Sequence, residues 1–165
     1  MPEMLRYRTT NKGTQFCSWS THAISNKETT ISFIEYSEGH LGELNSCEVE
    51  LSENLTEIKI IEKELIKKYP LTSTPLSDYL IAVDLKDWDF DNWNQQETLE
   101  KLTRAIQWNC KNTGLGWAEG NYQLENNTYL LNTQLATNSC LKEVLFNDLK
   151  HMGILYDQLS IKSVI

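Results

Sequence analysis

Residues 15–23 read QFCSWSTHA, and residues 29–36 read TTISFIEY. The first segment alternates, with Cys17, Trp19 and Thr21 on one face and Phe16, Ser18, Ser20 and His22 on the other. A two-residue period is the mark of a half-buried strand. The second segment is rich in β-branched and aromatic side chains, which suit a pleated backbone. Asn26, Lys27 and Glu28 supply turn chemistry between them. Gly39 and Gly42 mark a loop, and residues 47–51 resume the alternation, with Val49 and Leu51 expected inward and Glu48 and Glu50 outward. The opening of the chain therefore predicts an antiparallel meander with one wet face.

Working outward, residues 54–69 carry two periods. Leu55, Ile58, Ile61, Leu65 and Tyr69 recur at helical spacing, whereas residues 56–60 also alternate like a strand. Glu64 and Lys68 make an i,i+4 pair and Pro70 provides a stop, so helix is the preferred reading. Residues 78–85 suit a short buried strand. Asp91 or Asn92 can cap a helix running to about Trp108, with Leu99, Leu102, Ala105 and Ile106 as its buried stripe and Gly114 beyond its end. Residues 115–123 and 128–135 flank Glu125, Asn126 and Asn127 as a hairpin. Ser139 can cap a last helix lined by Leu141, Leu145, Leu149, Met152, Tyr156 and Leu159. No repeat or linker interrupts this order. It predicts one α+β domain over residues 1–165, an antiparallel sheet packed against about three helices.

The chain has 165 residues, with 15 Lys plus Arg against 23 Asp plus Glu, a formal net charge of −8. A protein that tracks phosphates needs the opposite sign, so direct nucleic-acid binding is not expected. Hydrophobic residues at 40% and charged residues at 23% exclude a disordered chain. No apolar run approaches the ~20 residues of a membrane span. The opening MPEMLRYRTT carries two arginines with no apolar run behind them, so a cytoplasmic protein is expected. Cys17, Cys47, Cys110 and Cys140 are far apart and form no C-x-x-C pair, which fits reduced thiols better than disulfides.

Several arrangements can be tested for chemistry. No G-x-S-x-G elbow surrounds a serine. Cys17 and His22 share a strand but fall on opposite faces. His40, Glu43 and Cys47 could offer three metal ligands, but zinc sites show tighter pairing and a second cluster. Asp87, Asp89 and Asp91 have the opening spacing of a calcium loop, yet Asn92 stands where its glycine belongs and Thr98 where its bidentate Glu belongs. The glycines at 114, 116 and 120 do not match a phosphate-binding loop. No cofactor and no metal are expected.

The acids are unevenly spread. Residues 28–57 hold eight and no Lys or Arg, and residues 84–100 hold six against Lys86 alone, together 14 of the 23. The second group is interleaved with Trp88, Phe90 and Trp93. Aromatic anchors beside carboxylates suit an interface with a cationic protein, the rings giving burial and the charges steering. The candidate partner-binding residues are Asp87, Trp88, Asp89, Asp91 and Trp93, with Glu48 and Glu50.

In its whole-chain profile, and in the stretch Asp87 to Trp93, the chain resembles bacterial toxin immunity proteins, including those of contact-dependent growth inhibition systems. The resemblance implies a non-enzymatic cytoplasmic protein that binds and neutralises a cognate basic toxin, commonly a nuclease. Residues 99–165 are also similar in layout to the YbjN and type III secretion chaperone-like families, with a helix at 99–109, strands at 120–124 and 128–135, and a closing helix at 141–159. That second resemblance implies a dimer holding a partner's extended segment, although no opening helix precedes the strands. An enzyme assembled from distant residues is a third reading that spacing alone leaves open.

Overall fold

The alternation of residues 15–23 is realised at the centre of an antiparallel sheet. In this computed structural model, which describes residues 4–43, 47–72, 76–86, 95–136 and 141–164, β1 (Met4–Thr10) pairs with β2 (Gly13–Ser25). β2 pairs with β3 (Thr30–His40), and β3 with β4 (Cys47–Ser52), giving the order β1-β2-β3-β4. At the β2–β3 turn the Asn26 side chain accepts the backbone N–H groups of Glu28 and Thr29, at 3.0 and 2.7 Å. The loop expected at Gly39 begins later, because Gly39 still pairs with Phe16.

The contested segment is a helix, α1 (Leu55–Lys68). Asn54 caps it by accepting the Thr56 N–H at 2.9 Å, and the Tyr69 N–H closes on the Leu65 carbonyl at 2.8 Å. Ile58, Leu65 and Tyr69 pack with Cys17, Trp19 and Ile34 as the core beneath it, while Leu55 at the start of the expected stripe is exposed.

Register assigns the faces of β4. Glu48 lies opposite Tyr36, Glu50 opposite Ile34 and Ser52 opposite Ser32. Cross-strand partners point the same way, so Glu48 and Glu50 share the face that α1 covers. Val49 and Leu51 occupy the other face and are 52% and 70% exposed. The expectation that these two point into the core is therefore overturned. Alternation separates two faces; it does not say which one a helix will cover.

Contacts gather the chain into two compact units, Met1–Thr74 with Asn112–Gly114, and Pro75–Lys111 with Leu115–Ile165. Within the first, residues 112–114 seat on the face opposite α1. The Tyr7 hydroxyl donates to the Gly114 carbonyl at 3.1 Å, and the Gly42 N–H donates to the Thr113 carbonyl at 2.8 Å. Gly114 has φ +66°, and a Cβ there would lie 2.2 Å from Cγ of Phe16.

The second unit holds β5 (Leu76–Asp84), α2 (Gln95–Asn112) up to Lys111, β6 (Gly116–Ala118), β7 (Gln123–Glu125), β8 (Thr128–Ala136), α3 (Leu141–Leu149) and β9 (Leu159–Ser163). Its sheet runs β6-β8-β5-β9, with β7 also beside β8. Leu99, Leu102 and Ile106 of α2 are buried as expected, as are Ile81 and Val83 of β5. Asn126 and Asn127, at φ 49° and 60°, make the two-residue turn between β7 and β8.

The expected last helix is shorter than its apolar spacing suggests. α3 ends at Leu149, a 3-10 turn follows, and Gly153 at φ +80° breaks the chain direction. Residues 159–163 then form β9 against β5. Met152, Tyr156 and Leu159 therefore do not belong to one helical stripe, and the closing helix of the chaperone-like layout is only partly present. The α+β class with three helices and antiparallel strands is as expected, but the strands form two sheets rather than one. No helix among the described residues is long and apolar enough to cross a membrane.

Candidate partner-binding site

β4 reads CEVELS, two acids alternating with two aliphatic residues at the edge of the first sheet. The Tyr36 hydroxyl donates to Oε2 of Glu48 at 2.9 Å. Burial pushes that hydroxyl up to about 12, helped by the hydrogen bond to Glu48 and by the nearby charges of Glu48, Glu50 and Glu38. The phenol is thus fixed as a neutral donor that orients one carboxylate of the strand.

Beside it lies an open recess of about 280 Å³, lined by Tyr36, Glu38 and Glu50 from the strands and by Ile61, Glu64, Leu65 and Lys68 from α1. Its lining combines a tyrosine and two aliphatic side chains with three carboxylates and one ammonium group. Lys68 does not hold Glu64, the i,i+4 partner expected from the sequence. Its Nζ bonds Glu38 across the gap at 3.0 Å. Among the described residues, neither Glu50 nor Glu64 has a salt bridge or a side-chain hydrogen bond.

The cations at the far side of this face are already engaged. Arg6 donates to the carbonyls of Tyr69 and Pro70, at 2.7 and 3.1 Å, and Arg8 sits 5.1 Å over the Tyr69 ring. Charge is therefore polarised across the sheet, with arginines on β1 and glutamates on β4. The reverse face near β4 mixes apolar side chains with Glu35, which lies opposite Val49, and His22, which lies opposite Phe33. Phe33 lies opposite Leu51, and Ile24 opposite Ile31, with Ile24, Ile31, Val49 and Leu51 all exposed.

Comparison with family models, with curated proteins and with solved structures finds no match.

Of the residues singled out in the sequence, Glu48 and Glu50 lie together on β4. Asp87, Trp88, Asp89, Asp91 and Trp93 lie outside the described residues. Tyr36, Glu38 and Glu64 line the recess together with Glu50, and nothing in the sequence singles them out. Only the pairing of β3 with β4 and the seating of α1 bring them to Glu50, and no local spacing encodes that.

The remaining chemical candidates can also be placed. Cys17 faces α1 and His22 the reverse face, as the spacing indicates. Burial pushes the Cys17 thiol up to about 12, far from a reactive thiolate. Cys110 is raised in the same way, to about 12. His22 stacks on Phe33 at 4.9 Å and lies 3.9 Å from Glu35. Among the described residues there is no group of three or more His, Cys, Asp or Glu side chains able to hold a metal ion.

Proposed function

We propose that this protein is an acidic binding domain that occludes a cationic surface of another protein, in the manner of a toxin immunity protein acting in the cytoplasm of its producer. The observation that supports this reading is the state of β4 and its recess. Glu48 and Glu50 are exposed on one edge strand, Glu64 faces the same recess, and the one lysine lining it is engaged by Glu38. Like charges held together destabilise an isolated fold. They become favourable when a cationic partner arrives, and they speed its arrival in a salt-sensitive way. A nuclease is a fitting class of partner, because the surface that grips phosphates is the one such carboxylates would cover. The stretch Asp87 to Trp93 is a second contact candidate on the strength of its acid and aromatic pattern.

The test is protection and binding. The product of the adjacent gene is expressed with and without this protein, and binding is titrated at low and high salt. Protection from toxicity, with affinity falling as salt rises, is expected. Glu48→Lys with Glu50→Lys should weaken binding by at least about tenfold, roughly 1.4 kcal/mol. Unchanged affinity in that variant overturns the assignment of this surface.

A further inference from the structure

We infer that β4 accepts a fifth strand from the partner, an extended segment in which cationic and apolar residues alternate. This rests on the acidic-binding reading and states how the partner is held. Two observations support it. β4 ends the sheet, and among the described residues it pairs with no strand but β3. An open edge is a template for another strand, with main-chain hydrogen bonds giving affinity and alternate side chains giving specificity. The two faces of β4 also differ in chemistry. Glu48 and Glu50 stand on the α1 side, while Val49 and Leu51 stand on the reverse side, Leu51 beside the half-buried Phe33 and Val49 beside Glu35, with the exposed Ile24 and Ile31 on the same face.

A strand laid along this edge repeats both faces. On the α1 side its residues meet carboxylates, so they should be Lys or Arg. On the reverse side they meet Val49 and Leu51, so they should be Val, Ile, Leu or Phe. One cationic side chain can continue into the recess, its methylenes against Ile61 and Leu65 and its charge toward Glu50 and Glu64. A second copy of this chain fits poorly. The antiparallel pairings of two β4 strands that overlap most of their length set glutamate against glutamate, which is repulsive.

Two synthetic peptides of equal composition test the proposal on the full-length protein, one alternating lysine and valine and one with the lysines and valines in separate blocks. Affinity is read by titration, and the site by amide hydrogen exchange across β4. The alternating peptide is expected to bind at least about tenfold more tightly than the block peptide, to slow exchange in β4, and to lose most of that advantage in Glu50→Gln/Glu64→Gln. Equal affinity without slowed exchange overturns the added strand and leaves the acidic-binding reading standing. No binding of either peptide up to millimolar concentration overturns both, and the glutamates are then guards against edge pairing. Concentration-dependent protection of β4 without peptide assigns the edge to a second copy and overturns the proposal.

Discussion

Gly114→Ala is the sharpest test of how the first unit is assembled. Two penalties coincide at this position. The backbone sits at φ +66°, where an L side chain costs about 1–2 kcal/mol. The new Cβ would also lie 2.2, 2.5 and 2.6 Å from three ring atoms of Phe16, well inside van der Waals contact. Phe16 is fully buried, so its ring must push neighbours aside, at about 1–3 kcal/mol for an overpacked core. The sum is about 2–5 kcal/mol. Gly153→Ala is the control, because φ is +80° there and nothing lies within 4 Å of the added Cβ, leaving the backbone penalty alone. Urea unfolding followed by far-ultraviolet circular dichroism gives both values. A cycle with Phe16→Leu isolates the steric part, which should appear as a favourable coupling of about 1 kcal/mol or more. If Gly114→Ala costs no more than Gly153→Ala and the cycle shows no coupling, residues 112–114 are not seated against Phe16.

The other predictions concern thiols, alkaline stability and one tryptophan. Cys47 is exposed while Cys17 and Cys110 are buried, so a thiol reagent should label Cys47 at once and the other two only on unfolding; rapid native labelling of Cys17 would contradict the packing. The Cys17 thiol is raised in the fold from 9.0 to about 12, so the stability linked to it is whole below the unfolded value and falls as pH rises from there through the folded one. Stability should decline by about 1.4 kcal/mol per pH unit for each such thiol in that window, and Cys17→Ala should remove one thiol's share; parallel pH profiles for wild type and variant would refute the assignment. Trp19→Phe removes the indole N–H that reaches Glu62 at 3.0 Å. A hydrogen bond to a charged group is worth about 1.5–3 kcal/mol, and because Glu62 can rehydrate, a loss near the lower figure is expected in urea titrations; Glu62→Ala should shrink the effect.

Strands β2 and β3, the helix over residues 55–68 and the buried stripe of α2 were legible because each carries its own period and punctuation. The failures were of a different kind. Leu145, Leu149, Met152, Tyr156 and Leu159 keep helical spacing, yet the left-handed Gly153 interrupts them and β5 recruits residues 159–163 as a neighbour. Alternation and apolar character point Val49 and Leu51 inward, but the helix covers the opposite face and leaves both exposed. Glu50 was identified from charge alone, while the side chains around it come from β3 and α1 and depend on tertiary pairing.

The first unit is built mostly from residues before position 75, yet it takes in residues 112–114. Synthesis runs from the N-terminus, so the meander and its helix leave the ribosome before the segment that receives the Tyr7 hydroxyl and lies against the Phe16 ring. Until that segment emerges, a nascent chain presents the Tyr7 and Phe16 rings without it, and transiently exposed apolar surface of this kind favours aggregation. A recombinant fragment stopped at residue 74 should likewise be sticky and short-lived in the cell, even though it contains every strand of the first sheet.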